Sequence, residues 1–184
     1  VRSSPEQDVS WEDALREVIR KYRAGAVGAP PDWVAGVGVT AERSNVACGD
    51  QVSLYRSSGG EVWVAAKGCS ICLASAELLN RIAAGVSPDL LPGIATAIVA
   101  ALDDRSDAGA TAEVDPVRRL WEMFPATSGV TAALPPPGAP GSTGVTAADV
   151  AAFLPLRNVP GRRRCATLPW ELFLDPSTLD VTTD

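Results

Sequence analysis

The sequence predicts an α+β chain, and three observations carry that expectation. An alternating segment folds back on itself as a β-hairpin, apolar residues recur at helical spacing on both sides of it, and a late Pro/Gly-rich stretch fits neither period. The 184 residues suffice for one domain, expected over 1–175 with a disordered tail at 176–184. Hydrophobic residues at 46% and charged ones at 21% give a globular composition. The formal charge of −6 argues against a general nucleic-acid binder, because counterion release needs clustered Lys and Arg. The longest uncharged apolar run, Leu90 to Leu102, is broken by Pro92 and Gly93 and falls short of a membrane span. With no apolar h-region at the N-terminus either, the expected location is cytoplasmic, away from membranes.

Residues 10–23 read as an amphipathic helix. Ser10 is placed to cap it, Asp13 sits at the third helical position, and Trp11, Leu15, Val18, Ile19 and Tyr22 share one face. Pro30 and Pro31 mark a loop, after which a short strand is expected over 34–39. The hairpin is the clearest element: Val52 and Leu54 alternate within 51–56, Ser57-Ser58-Gly59-Gly60 supplies the turn, and Val62 and Val64 alternate within 61–66. Ile71, Ala74, Ser75, Leu78, Leu79 and Ile82 then recur at helical spacing, with Gly85 as the stop. A second helix is expected over 91–103 behind the Ser87-Pro88 turn, and a short one from Asp115-Pro116 to Phe124. Residues 125–145, which include Pro135-Pro136-Pro137-Gly138, read as a flexible insertion. Thr146 caps a helix over 147–156, and the last helix is expected to start at Thr167 or Leu168 with Pro169-Trp170 in its first turn.

The chain contains no His, which removes imidazole chemistry from its own repertoire, and its four cysteines lack a visible export signal. Metal or sulfur chemistry is the expectation that remains. A hairpin brings its two outer ends together. Cys48-Gly49-Asp50 directly precedes the first strand and Gly68-Cys69 follows the second, so Cys48, Asp50 and Cys69 are expected side by side. Gly49 and Gly68 let the backbone turn tightly there. Cys69 also opens the helix of 71–82, where free N–H groups favour a thiolate. Two thiols and a carboxylate supply three of the four ligands of a tetrahedral zinc or iron site. Spacing does not fix the fourth. Cys165 lies far along the chain, but it follows Arg162-Arg163-Arg164 and is expected to open the last helix, a setting that would depress its pKa.

Three blocks in order carry a family resemblance: Asn45-Val46-Ala47-Cys48-Gly49-Asp50, Gly68-Cys69-Ser70-Ile71-Cys72-Leu73-Ala74-Ser75, and Arg162-Arg163-Arg164-Cys165-Ala166-Thr167-Leu168-Pro169-Trp170. Together they resemble the IscU/NifU-type iron–sulfur cluster assembly proteins. The SufU branch fits best, because the last cysteine has no His before it, has Arg162 three residues ahead, and follows an insertion. The resemblance implies a small antiparallel sheet packed against helices, with Zn2+ on Cys48, Asp50, Cys69 and Cys165. It further implies that Cys48 accepts persulfide sulfur, with Arg162 assisting, from a pyridoxal-phosphate-dependent cysteine desulfurase of the SufS kind. The pyridoxal phosphate would belong to the desulfurase, and downstream partners would be further iron–sulfur assembly proteins. The chain departs from the family at Cys72, where Ser is commoner, and at Ala65-Ala66-Lys67, where Phe and Gly are usual.

Two function classes follow. One is sulfur handling by a zinc-dependent sulfurtransferase, with a close variant in which the same ligands transiently hold an iron–sulfur cluster. The other is a non-catalytic relative whose zinc is structural and which binds a desulfurase. Single residues also carry ordinary readings. Cys72, at i+3 from Cys69, reads as a buried core thiol before a redox partner, and Ser75 reads as helix packing. The Arg162–Arg164 run reads equally as a solvated face and as a docking or thiolate-tuning group. Trp170 reads as a core anchor, and Trp63, alternating away from Val62 and Val64, as an exposed residue open to an interface.

Overall fold

The computed structural model describes residues 10–26, 30–103 and 145–175. In chain order these form α1 (Trp11–Ala26), a 3-10 turn (Asp32–Gly36), β1 (Val39–Asn45), β2 (Asp50–Arg56), β3 (Val62–Lys67) and α2 (Ser70–Ala83). After a 3-10 turn at Pro88–Leu90 come α3 (Leu91–Asp103), α4 (Ala147–Ala151), a 3-10 turn (Leu154–Asn158) and α5 (Pro160–Glu171). The architecture is α+β: one antiparallel sheet in the order β1-β2-β3, with helices on its inner face. The short helix expected over 115–124, the insertion expected over 125–145 as far as residue 144, and the tail over 176–184 lie outside the described residues; Val145, the last residue of that insertion, is described and buried in the core.

The hairpin of β2 and β3 forms where the alternation places it. Leu54 faces Val64 across the ladder and Val52 faces Ala66, so the inner face is apolar while Ser53, Ala65 and the Tyr55–Trp63 pair point outward. Trp63 is half-buried on that outer face. Gly60, at φ +85, takes the left-handed position that the turn needs.

The strand expected over 34–39 is replaced by the 3-10 turn at Asp32–Gly36, and the real strand, β1, starts at Val39. Pro31 immediately before Asp32 favours the tight turn. β1 pairs only with β2, so Thr40, Glu42 and Ser44 stay exposed on an edge and the strand carries no apolar alternation.

The hub is α2, buried almost all round: Ile71, Cys72, Ala74, Ser75, Leu78, Leu79 and Ile82 are all buried. Its Asn80 side chain accepts from the Val64 N–H at 2.8 Å and donates to the Val64 carbonyl at 3.0 Å, clamping α2 to the otherwise open edge of β3. α1 packs on α2 through Leu15, Val18 and Tyr22, with Ser10 and Asp13 capping as expected. Ser75 donates to the Ala166 carbonyl at 2.7 Å and accepts from the Trp170 indole at 2.9 Å, which joins α2 to α5 and makes Trp170 a core anchor.

The C-terminal region differs from expectation in two places. The helix predicted over 147–156 stops at Ala151 and continues as a 3-10 turn through Asn158; Thr146 caps it, with Asp149 closing a reciprocal box. The last helix begins at Pro160, seven residues before Thr167, so Pro160 and not Pro169 holds the first-turn position. Pro169 lies near the far end, where it withholds an N–H from the helical ladder without stopping the helix. No helix among the described residues is long and apolar enough to cross a membrane.

Candidate metal centre

Three elements meet at the open end of the hairpin. β1 and β2 are joined by the four-residue turn 46–49, in which the Cys48 N–H donates to the Asn45 carbonyl at 3.1 Å and Gly49 adopts φ +67. β3 ends at Lys67, and Gly68 and Cys69 lead into α2 with Cys69 as its N-cap. α5 crosses against β1 and β2 and brings Cys165 from its interior.

Asp50 is the centre of the arrangement and is fully buried. Its Oδ1 accepts from the Cys69 backbone N–H at 2.7 Å. That bond turns Oδ2 toward the thiols: the Cys69 Sγ lies 3.8 Å from it and the Asn45 amide donates to it at 3.4 Å. Gly68 makes the close approach possible. At φ +148 it sits against Asp50 so tightly that a Cβ would lie 2.8 Å from the Asp50 Cα. Among the described residues no Lys or Arg pairs with Asp50, and a buried carboxylate needs compensation from some other positive charge or from donors.

The ligand atoms of Cys48, Asp50 and Cys165 all lie within 4.8 Å of one another, close enough to hold a metal ion. A tetrahedral zinc site with bonds of about 2.3 Å to sulfur has edges of about 3.8 Å. The separation of Cys69 Sγ from Asp50 Oδ2 already has that length, and the Sγ atoms of Cys48 and Cys165 lie within 4.8 Å of each other and of the Asp50 carboxylate. Three soft thiols and one carboxylate suit zinc or iron. Of the four residues singled out from the sequence, Cys48, Asp50 and Cys165 form one such group, and Cys69 lies outside it but against the same carboxylate, 3.8 Å from Asp50 Oδ2.

Their surroundings differ. Cys48 and Cys69 are half-buried, whereas Cys72 and Cys165 are buried. Both Cys48 and Cys165 point an Sγ at the Gly161 carbonyl, at 3.8 and 3.7 Å. The expectation that Cys165 opens a helix in an electropositive setting is overturned. It lies in the middle of α5, and burial, with hydrogen bonds to Asp50, Cys48 and Cys69 that favour the protonated thiol adding to it, pushes its thiol well above the ordinary range. Burial likewise pushes Cys72 up to about 12, so that it stays a protonated core thiol. Arg162 is exposed in the first turn of α5, and its guanidinium makes no ion pair with a described residue. Arg163 pairs with Asp103 at 3.4 Å and Arg164 with Glu171 at 3.8 Å.

The comparison with known proteins bears on this geometry. The chain is similar to a bifunctional NifU/MnmA protein. That protein, from Rubrobacter xylanophilus, is 32% identical over an alignment of 120 residues that covers 60% of this chain and 23% of the relative. The chain thus spans less than a quarter of the length of the NifU/MnmA relative it matches. No protein-family model matches the chain.

One contributor escaped the sequence reading. Asn45, buried at the end of β1, donates to Asp50 and lies 3.5 Å from the Cys165 Sγ. Its signal was present only as its place in the block ending at Asp50, and its reach to Cys165, 120 positions away, depends on the docking of α5.

Proposed function

We propose that this chain is an iron–sulfur cluster assembly protein of the IscU/NifU type, in its SUF branch, that takes persulfide sulfur from a cysteine desulfurase onto Cys48 at a zinc site formed by Cys48, Asp50, Cys69 and Cys165. The observation that carries the reading is the meeting of Cys48, Asp50 and Cys165 within 4.8 Å, with Cys69 against the same carboxylate. The similarity to a NifU/MnmA protein supports the general role in iron–sulfur assembly. An Arg three residues before Cys165, in a chain without His, supports the SUF branch.

Bound zinc keeps its thiolates deprotonated at neutral pH and so holds a nucleophile ready. The rest is the work of the chain. Cys165 is buried and fixed in a helix, so it serves as a ligand and not as an entry point for sulfur. Cys48 is half-buried on a turn flanked by exposed Val46, Ala47 and Gly49, where a partner's persulfide can reach it. In the transfer, the Cys48 thiolate attacks the terminal sulfur of the donor persulfide. A new bond forms between Cys48 Sγ and that sulfur, the donor's own S–S bond breaks, and the donor cysteine leaves as a thiolate with no net oxidation. Arg162 is exposed and follows Gly161, whose carbonyl lies 3.8 Å from Cys48 Sγ, and in this reading it steadies the anionic donor or leaving thiolate.

The test is desulfurase turnover with and without this protein, with Cys48→Ala as control. Stimulation that vanishes in the variant is the expected result. Equal stimulation by Cys48→Ala, or none from the zinc-loaded protein with an active desulfurase, would refute sulfur acceptance at Cys48.

A further inference from the structure

We propose that Asn45 is a positioning residue of the metal centre, a neutral donor shared between Asp50 and Cys165 that sets the affinity of the site; this rests on the metal-site reading above. Asn45 is the last residue of β1 and the ladder partner of Asp50, and it is only 5% exposed. Its Nδ2 lies 3.4 Å from Asp50 Oδ2 and 3.5 Å from Cys165 Sγ. One amide group therefore reaches a ligand from the hairpin and a ligand from α5. The Cys69 N–H bonds the opposite carboxylate oxygen, Oδ1, and the Cys69 thiol lies 3.8 Å from Oδ2.

An Asn beside a turn is ordinarily explained by bonding to the turn backbone, as in an Asx-turn. That explanation fails here, because the side chain of Asn45 bonds Asp50 and Cys165 and no described backbone group of the turn 46–49. The charge of the site gives the amide a different purpose. Three thiolates and a carboxylate around a divalent ion leave a net negative charge in a buried place, and N–H donors are the means of stabilising it without a counter-ion. A carboxylate at position 45 would add to that charge, and a hydroxyl on a shorter side chain would not span both ligands. Partners of this kind commonly change metal affinity by about 10- to 100-fold when removed.

The test uses the full chain as wild type, Asn45→Ala, the near-isosteric Asn45→Leu and, as a control on the exposed side of the same strand, Ser44→Ala. Each is loaded with Co2+ for its spectrum and then titrated with zinc against a chelator. Wild type and Ser44→Ala should take one equivalent. Both Asn45 variants should bind about tenfold more weakly. Their sulfur-to-cobalt charge-transfer band should move to longer wavelength, because a thiolate has lost a donor. Zinc affinity within twofold of wild type, or weaker binding with an unmoved band, would reduce Asn45 to a structural role and overturn the proposal. If wild type itself takes no metal, the metal-site reading fails, and the role of Asn45 falls with it.

Discussion

Gly68→Ala is the substitution whose cost the structure specifies most directly. The residue holds φ +148, outside the range that L side chains adopt readily, and a Cβ would meet Asp50 at 2.8 Å from Cα and 2.9 Å from Cγ. Those atoms belong to a buried strand residue and cannot swing aside as the end of a long side chain could. Backbone strain of this kind costs about 1–3 kcal/mol, and overpacking in a closed site costs about 1–3 kcal/mol more. A loss of about 3 kcal/mol is therefore expected, a large share of the stability of an ordinary domain. Gly49→Ala separates the two terms. Gly49 holds φ +67, but nothing lies within 4 Å of its Cβ position, so only the left-handed penalty of about 1 kcal/mol applies. Urea unfolding of the two metal-free variants should differ by about 2 kcal/mol in ΔG, the difference of these estimates. Chelator titration should show weaker zinc binding in Gly68→Ala, because Asp50 is pushed off the Cys69 N–H. Equal ΔG losses at the two glycines would refute the close approach of Gly68 to Asp50.

Two further outcomes test the framework around the site. Ser75→Ala leaves the Trp170 indole N–H buried without its acceptor and should cost about 2 kcal/mol in urea unfolding; a loss below about 0.5 kcal/mol would show that another acceptor takes over. Asp149 tests acid sensitivity. Burial alone would raise its carboxyl, but bonds from Lys21, Thr146 and Tyr22 outweigh burial and hold it below its ordinary value of 3.8. A carboxyl depressed on folding stabilises above its unfolded value, and that stability is lost as pH falls through the folded value. The stability gap between wild type and Asp149→Asn should therefore narrow between about pH 5 and about pH 2, and a gap constant with pH would count against the network.

What the sequence made legible was local. The hairpin followed from the alternation around Val52, Leu54 and Val64, and the nearness of Cys48, Asp50 and Cys69 followed from the hairpin. β1 was missed for a physical reason: an edge strand with Glu42, Arg43 and Ser44 in its middle buries too little to show a period. The start of α5 was misplaced because Pro169-Trp170 and Pro160 are both credible first-turn signals, so Arg162–Arg164 were put ahead of the helix when they lie inside it. That error carried the wrong setting for Cys165. Its burial comes from α2, α3 and β1 closing over α5, contacts that no spacing within residues 160–171 encodes.

The same tertiary closure divides labour among the candidate ligands. Asp50 is held in a strand and by the Cys69 N–H, Cys69 by the N-cap of a buried helix, and Cys165 by the interior of α5. Moving any of these out of the site would break regular structure or strip a packed core. Cys48 alone stands on a turn. Its backbone is tied by one bond back to Asn45, and Gly49 beside it has open space around its Cβ position. A ligand that must leave a metal to carry sulfur, and return, has to sit where release disturbs no core contact. By that criterion the chain has one candidate among its four cysteines, and it is also the thiol flanked by the most exposed side chain on the turn, Val46 at 89%. Rigid ligands on three elements and a fourth on a turn suit the transfer proposed above; a site built only to hold the fold together would gain from fixing all four.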